Sequence, residues 1–280
     1  MLHFTQIHWD FDPRFFPALF ESIGLEPRWY GLLFAAGFLV GFRLIKKILI
    51  RENMPEDWAD SLLLYVMAGT VLGARLGHVF FYDWAYYSQN LNEILMIWKG
   101  GLASHGAAVG NIIALWLWSK KVSKKPVLWA LDRVVITIAL AGSFIRLGNF
   151  LNSEIIGSPT NLPWAVVFKR VDLIPRHPSQ IYESIGYLII FLLLYIAYFK
   201  FNKGKLQGYI FGAFLILIFG FRFIIEFVKA EQKAFEVEMT LNMGQWLSIP
   251  LVLAGIFFLW RSKRIAEAGG GSDQNTSTAS

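Results

Sequence analysis

Long apolar stretches alternate with short polar ones along almost the whole chain. The alternation predicts seven helices, over about 29–50, 59–82, 94–118, 127–148, 179–199, 207–228 and 244–261. Several approach or exceed the ~20 residues needed to cross a bilayer core. The polar breaks show no repeat of 20–50 residues. Residues 1–265 therefore read as a single integral membrane domain. Residues 266–280, which end in GGGSDQNTSTAS, read as a disordered polar tail. The N-terminal MLHFTQIHWDFDPRFF lacks a basic stretch followed by an apolar one, so no cleavable leader is expected. The fold class is all-α, a polytopic membrane protein with about seven transmembrane helices.

The polar breaks also orient the bundle. One set of connections carries Lys46, Lys47 and Arg51, then Lys120, Lys121, Lys124 and Lys125, then Lys200, Lys203 and Lys205, then Arg261, Lys263 and Arg264. The opposite set carries fewer basic residues over longer stretches: Arg14, Arg28, Lys169, Arg170, Arg176, Lys229 and Lys233. Basic residues mark cytoplasmic loops, which puts the N-terminus outside and the C-terminus in the cytoplasm.

Composition supports lipid as the solvent. The chain is 55% hydrophobic and 16% charged, whereas a soluble domain carries roughly 25% charged residues. The net charge of +6 could suggest nucleic acid, but the basic residues sit in loop runs rather than in one patch, and no nucleic-acid partner is expected. There is no cysteine, so disulfides, thiolate metal sites and a cysteine nucleophile are excluded. The five histidines, at 3, 8, 78, 105 and 177, form no HxxxH or HExxH spacing. No Walker loop or GxGxxG is present, and neither metal nor cofactor is expected.

Ionisable residues inside spans are costly and therefore informative. Arg43, Lys99 and Arg133 lie where they can snorkel to an interface; Arg75, Arg146 and Arg222 are the better candidates for an internal site. In RLGNFLNSEIIG (146–157) helical spacing puts Gly142, Arg146, Asn149 and Ser153 on one face, with Glu154 close by and Gly157 suited to a turn. A guanidinium there, with amides and a carboxylate, is suited to holding a phosphate. The same residues could instead cap a helix end. Arg222 and Glu226 in FRFIIEF are four apart and can pair within a helix. In GARLGHVFFY the glycines at 69, 73 and 77 suit close helix packing. GGLASHG surrounds His105 with glycines that weaken a helix, and such a segment is tolerated at depth only when protein or a wet cavity covers it. PRHPSQIYES places Pro178 at a helix start, with His177 or Ser179 near the cap and Gln180, Tyr182 and Glu183 entering the span.

These segments resemble the bacterial prolipoprotein diacylglyceryl transferases. RLGNFLNSEIIG is similar to that family's signature, and PRWYG, GGLASHG, PRHPSQIYE and FRFIIEF follow its order. The resemblance implies an inner-membrane enzyme with its active site towards the outer face. It would transfer the diacylglyceryl group of phosphatidylglycerol to the lipobox cysteine of a prolipoprotein signal peptide, forming a thioether and releasing glycerol 1-phosphate. By that resemblance Arg146, Asn149, Glu154, Gly157 and Arg222 would bind phosphatidylglycerol, and His105 would be the base. Tyr30, Arg146 and Arg222 would join it in catalysis, with Glu226, His177, Gln180 and Arg75 in support. The chain departs from some members at Ile218, where they carry a tyrosine, and at Ala107 and Ala108, where more glycine-rich versions occur. The competing class is a transporter or flippase for an anionic lipid or organophosphate, which buried arginines and a broken helix would also serve. No inverted repeat supports it.

Overall fold

Helices form wherever the apolar runs are uninterrupted. The computed structural model describes residues 6–20, 26–97, 100–230 and 240–270. Its long helices are α1 (Trp29–Arg51), α2 (Trp58–Phe81), α3 (Ser104–Trp118), α4 (Val127–Leu151), α5 (Ser179–Phe199), α6 (Tyr209–Ile225) and α7 (Met243–Gly270). Among the described residues five of these, α2 and α4 to α7, are long and apolar enough to cross a membrane. They carry lipid-compatible flanks: Ile185, Ile189 and Leu193 on α5, and Leu253, Ile256 and Phe257 on α7, are exposed. The chain is thus a largely helical, multi-pass membrane protein. α7 continues to Gly270, past the expected start of the polar tail at 266. Residues 271–280 of that tail lie outside the described residues, as do His3, Lys99 and Lys233.

The main departure is at the third expected helix. Instead of a helix from 94, a 3-10 turn lies at Leu91–Glu93, none of residues 94–97 and 100–103 is α-helical, and α3 starts only at Ser104. Gly100 and Gly101 have φ of 84° and 74°, a left-handed backbone that glycine adopts without steric cost. With 15 residues, α3 spans about 22 Å; a five-residue π turn, Ser119–Ser123, extends it.

The chain forms two compact units, Met1–Gly41 with Asp132–Ser280, and Phe42–Leu131. In the second unit α2 and α3 meet along glycines. A Cβ on Gly73 would lie 2.8 Å from the Gly110 Cα, and one on Gly77 would lie 2.6 Å from the Gly106 Cα. The small-residue stripe is therefore a packing surface, as its spacing suggests. Asn111 Nδ2 donates to Thr70 Oγ1 at 2.9 Å across the same contact, and Trp118 Nε1 donates to Ser61 Oγ at 2.9 Å.

In the first unit α4 and α5 exchange serine hydrogen bonds: Ser143 Oγ donates to the Ser184 carbonyl at 2.8 Å and Ser184 Oγ to the Ser143 carbonyl at 2.9 Å. The buried Asp132 caps α6, accepting from Gly208 N at 2.7 Å and Phe211 N at 2.8 Å. This satisfies orphan donors of a helix start inside an apolar environment. A small sheet not expected from the sequence joins three distant segments: β1 (Ile7–Trp9) runs parallel to β2 (Val166–Phe168), which pairs antiparallel with β3 (Pro175–Arg176). Val166 and Phe168 of β2 form a buried cluster with Phe150 of α4, with Trp9, Leu151, Ile156 and Ile181 packed around them. That core fixes the end of α4 and the start of α5, where the polar residues concentrate.

Candidate functional site

The end of α4 is built as a clamp on Glu154. After Leu151 the backbone turns through Ser153 (φ 57°) and Ile155 (φ 55°). Glu154 N bonds back to the Asn149 carbonyl at 2.9 Å. Its carboxylate accepts from Asn149 Nδ2 at 3.2 Å and Asn152 Nδ2 at 3.1 Å. The first turn of α5 closes the clamp: Gln180 Nε2 donates to the Glu154 carbonyl at 2.7 Å and Ser179 Oγ to the Ile155 carbonyl at 3.1 Å.

Gly157 is not the turn residue its position suggested; Ser153 and Ile155 take the left-handed conformations. Gly157 bridges instead to Lys229, and its N donates to the His177 carbonyl at 3.1 Å. An added Cβ would lie 2.5 Å from the His177 Cβ and 2.9 Å from the Val228 carbonyl. Space, not φ, requires the glycine.

Charge concentrates beside this clamp. Arg146 Nε lies 3.3 Å from Glu183 Oε2, and Arg222 Nε lies 3.6 Å from Glu226 Oε1. Between them Lys229 Nζ lies 3.0 Å from Glu226 Oε1 and 3.8 Å from Glu183 Oε1. Tyr187 donates its hydroxyl to Glu183 Oε1 at 3.5 Å, and Asn242 Nδ2 donates to Glu226 Oε2 at 3.2 Å. The Glu183 side chain is fully buried; Arg146 is 14% exposed and Arg222 34%. Three cations and two carboxylates leave the network one positive charge in excess. Each arginine faces its glutamate through Nε, and Arg146 also hydrogen-bonds the Tyr187 hydroxyl; a guanidinium has five N–H donors, so donors remain on each fork for an anion. A net positive charge of this kind is electrostatically suited to an anionic group and to negative charge that develops in a reaction.

The other expected residues separate into two groups. Tyr30, on the first turn of α1, packs on Gly148, where a Cβ would meet its Cδ2 at 3.0 Å. His177 pairs through its backbone with Gly157 and Ser158, and its Nδ1 lies 3.4 Å from the Tyr182 hydroxyl. The first unit thus holds Tyr30, Arg146, Asn149, Glu154, Gly157, His177, Gln180, Arg222 and Glu226. Ile218 is buried in the core of that unit.

Arg75 and His105 belong to the second unit. Arg75 is fully buried, and its fork is occupied by carbonyls. Nε donates to Ile94 O and Nη2 to Glu93 O, both at 2.7 Å, while Nη1 donates to Gly100 O. It therefore ties the backbone at Glu93 and Ile94 to that at Gly100. His78 packs its ring on Gly101 and stacks with Tyr82. His105 is exposed at the second position of α3, shortly after Gly101.

Sequence reasoning left Glu183, Tyr187 and Lys229 out of the site. Glu183 carried a signal, an ionisable residue within a membrane span. Lys229 sits three residues after Glu226, a spacing that brings side chains together on a helix, yet it was counted among loop charges. Among the described residues no group of His, Asp or Glu is arranged to hold a metal ion. A separate open hollow of about 460 Å³ is lined by Asp10, Asp12, Arg14, Glu26, Arg28 and Arg170, and none of the expected site residues faces it. Within it Asp12 and Arg14 pair at 2.9 Å, and hydrogen bonds from Arg14 push the Asp12 carboxyl down to about 2.

The model of the prolipoprotein diacylglyceryl transferase family matches residues 17–261. The chain is 46% identical over 258 residues to a phosphatidylglycerol–prolipoprotein diacylglyceryl transferase of Tolumonas auensis, covering 92% of this chain and 98% of that protein. It is 45% identical over 264 residues to the one of Chloroherpeton thalassium, covering 94% and 97%. It is 46% identical over 271 residues to the one of Porphyromonas gingivalis, covering 91% and 94%.

Proposed function

The chain belongs to the prolipoprotein diacylglyceryl transferase family, and from that premise we infer that it transfers the diacylglyceryl group of phosphatidylglycerol to the lipobox cysteine of a prolipoprotein signal peptide. The cysteine sulfur forms a bond to the glyceryl carbon as that carbon's bond to the phosphate oxygen breaks. The thiol proton passes to a base, and glycerol 1-phosphate leaves. The observation that carries the reading is the excess positive charge around Arg146 and Arg222, within a membrane protein of this family.

Arg146 and Arg222 bind the phosphate and stabilise its developing charge. Asn149 and Glu154, with Gly157 keeping the strands close, shape the phosphatidylglycerol site. Glu226, His177 and Gln180 support it, and Tyr30 closes the α4 side. His105 takes the thiol proton; a free thiol with pKa ≈ 8.5 is largely un-ionised at neutral pH and gains from a base. Arg75 supports this indirectly by tying Glu93 and Ile94 to Gly100, shortly before His105. Residues 1–265 serve as a single integral membrane catalytic domain. Seven spans would put the N-terminus outside, the C-terminus in the cytoplasm and the reaction at the outer face of the bacterial inner membrane, where signal peptides emerge.

The test is direct. Purified protein is incubated with phosphatidylglycerol and a lipobox peptide, and the peptide is weighed by mass spectrometry. A mass gain of one diacylglyceryl group, with matching glycerol phosphate release, is expected. An unmodified peptide under conditions where a family member modifies it would refute the reading.

A further inference from the structure

Lys229 follows the single 3-10 turn, Glu226–Val228, that ends α6. Its side chain is 3% exposed, and its Nζ bridges Glu226 Oε1 at 3.0 Å and Glu183 Oε1 at 3.8 Å. Those are the two carboxylates that face Arg222 and Arg146. The backbone holds the lysine in register with the signature segment: Lys229 bridges Gly157, Ser158 N donates to the Val228 carbonyl at 3.0 Å, and Ala230 N donates to the Ile156 carbonyl at 3.2 Å. One ammonium with three tetrahedral donors can serve two carboxylates at once.

We propose that Lys229 is a positioning residue for the transfer reaction, neutralising Glu183 and Glu226 so that Arg146 and Arg222 keep donors for the phosphate. The proposal rests on the transferase reading of the same cluster. Without Lys229 the network would hold two guanidiniums and two carboxylates. Each arginine would then be drawn wholly onto its own glutamate, and an entering phosphodiester would meet no excess positive charge. With Lys229 the excess is +1, which matches the single negative charge of phosphatidylglycerol.

The experiment compares full-length wild type, Lys229→Met, Lys229→Arg and the double variant Lys229→Met/Glu226→Gln. Each is assayed for transfer to a lipobox peptide across phosphatidylglycerol concentrations, with melting in detergent measured alongside. Lys229→Met should lose roughly 100-fold in kcat/KM. Lys229→Arg, which keeps the charge, should stay within about threefold of wild type. The double variant removes one charge of each sign and restores the +1 excess. It should regain at least about tenfold over the single variant, a coupling that independent sites would not show. If Lys229→Met transfers like wild type, the proposal is wrong. It is equally wrong if the folded double variant stays as inactive as Lys229→Met, because the ammonium would then touch substrate itself. Should Lys229→Met fail to fold, the charge-balanced double variant decides by itself, at within about tenfold of wild type or about a hundredfold below it. An inactive wild type would instead overturn the transferase reading.

Discussion

Removing either arginine should stop transfer, but the two losses should differ sharply in stability. Arg222 is 34% exposed and meets Glu226 at 3.6 Å. In Arg222→Ala the carboxylate keeps Lys229 at 3.0 Å and Asn242 at 3.2 Å. A partly exposed pair whose partner remains satisfied contributes about 1 kcal/mol or less. Arg146→Ala leaves the fully buried Glu183 with Lys229 at 3.8 Å and the Tyr187 hydroxyl at 3.5 Å. Breaking a buried pair in this way costs about 3–5 kcal/mol, and the arginine stem also loses its packing. Transfer should fall in both variants by about 10²–10³-fold, the scale of one electrostatic donor to a developing charge. The assay pairs thermal melting in detergent with peptide transfer by mass spectrometry. Arg222→Ala should melt close to wild type while nearly inactive, and Arg146→Ala should melt well below it. Equal destabilisation of the two would refute the partner assignment. A stable Arg222→Ala with near-normal transfer would remove Arg222 from the phosphate site.

Three further outcomes follow from the same geometry. Gly157→Ala should lose about 1–3 kcal/mol of stability and most activity, since its methyl would enter the His177 and Val228 backbones; a wild-type melting curve would show that the strands can part. In the cysteine-free background, a cysteine at the exposed Asn161 should react with an impermeant maleimide added outside, whereas one at the exposed Lys121 should not; the reverse labelling would invert the topology. If His105 is the base, His105→Gln should insert normally and transfer about 10²–10⁴-fold more slowly at low pH. The wild-type to variant ratio should then narrow between pH 6.5 and 9, as the thiol ionises unaided. A flat ratio would leave His105 a shaping role. The carboxylates of Asp12 and Asp172 do not confuse this measurement. Asp12 is pushed down to about 2 by Arg14, and hydrogen bonds from Arg176 hold Asp172 below the usual range. Stabilisation from depressed carboxylates is fully present above their unfolded pKa of ~3.9 and is lost only as pH falls through the lowered folded values.

What the sequence determined alone is whatever repeats at short range. Apolar runs of membrane length must be helices, because only there does the backbone satisfy itself in lipid, and α2 and α4 to α7 follow those runs. RLGNFLNSEIIG placed Arg146 and Asn149 on one face and identified the family. The four-residue spacing of Arg222 and Glu226 was enough to pair them. Tertiary structure decided everything that depends on which segments meet. Glu183, from α5, is the partner of Arg146, whereas the neighbouring Glu154 is clamped by two asparagines. Lys229 reads as a loop charge until the α6 turn carries it between two glutamates. Arg75 has the same cost and chemistry in the sequence as Arg146, yet the carbonyls of 93–101 occupy its fork. The sheet of Ile7–Trp9, Val166–Phe168 and Pro175–Arg176 has strands of two and three residues, too short for an alternating pattern to declare. Periodicity records which face of an element a residue occupies, while the partner across that face is chosen by packing between residues far apart in the chain.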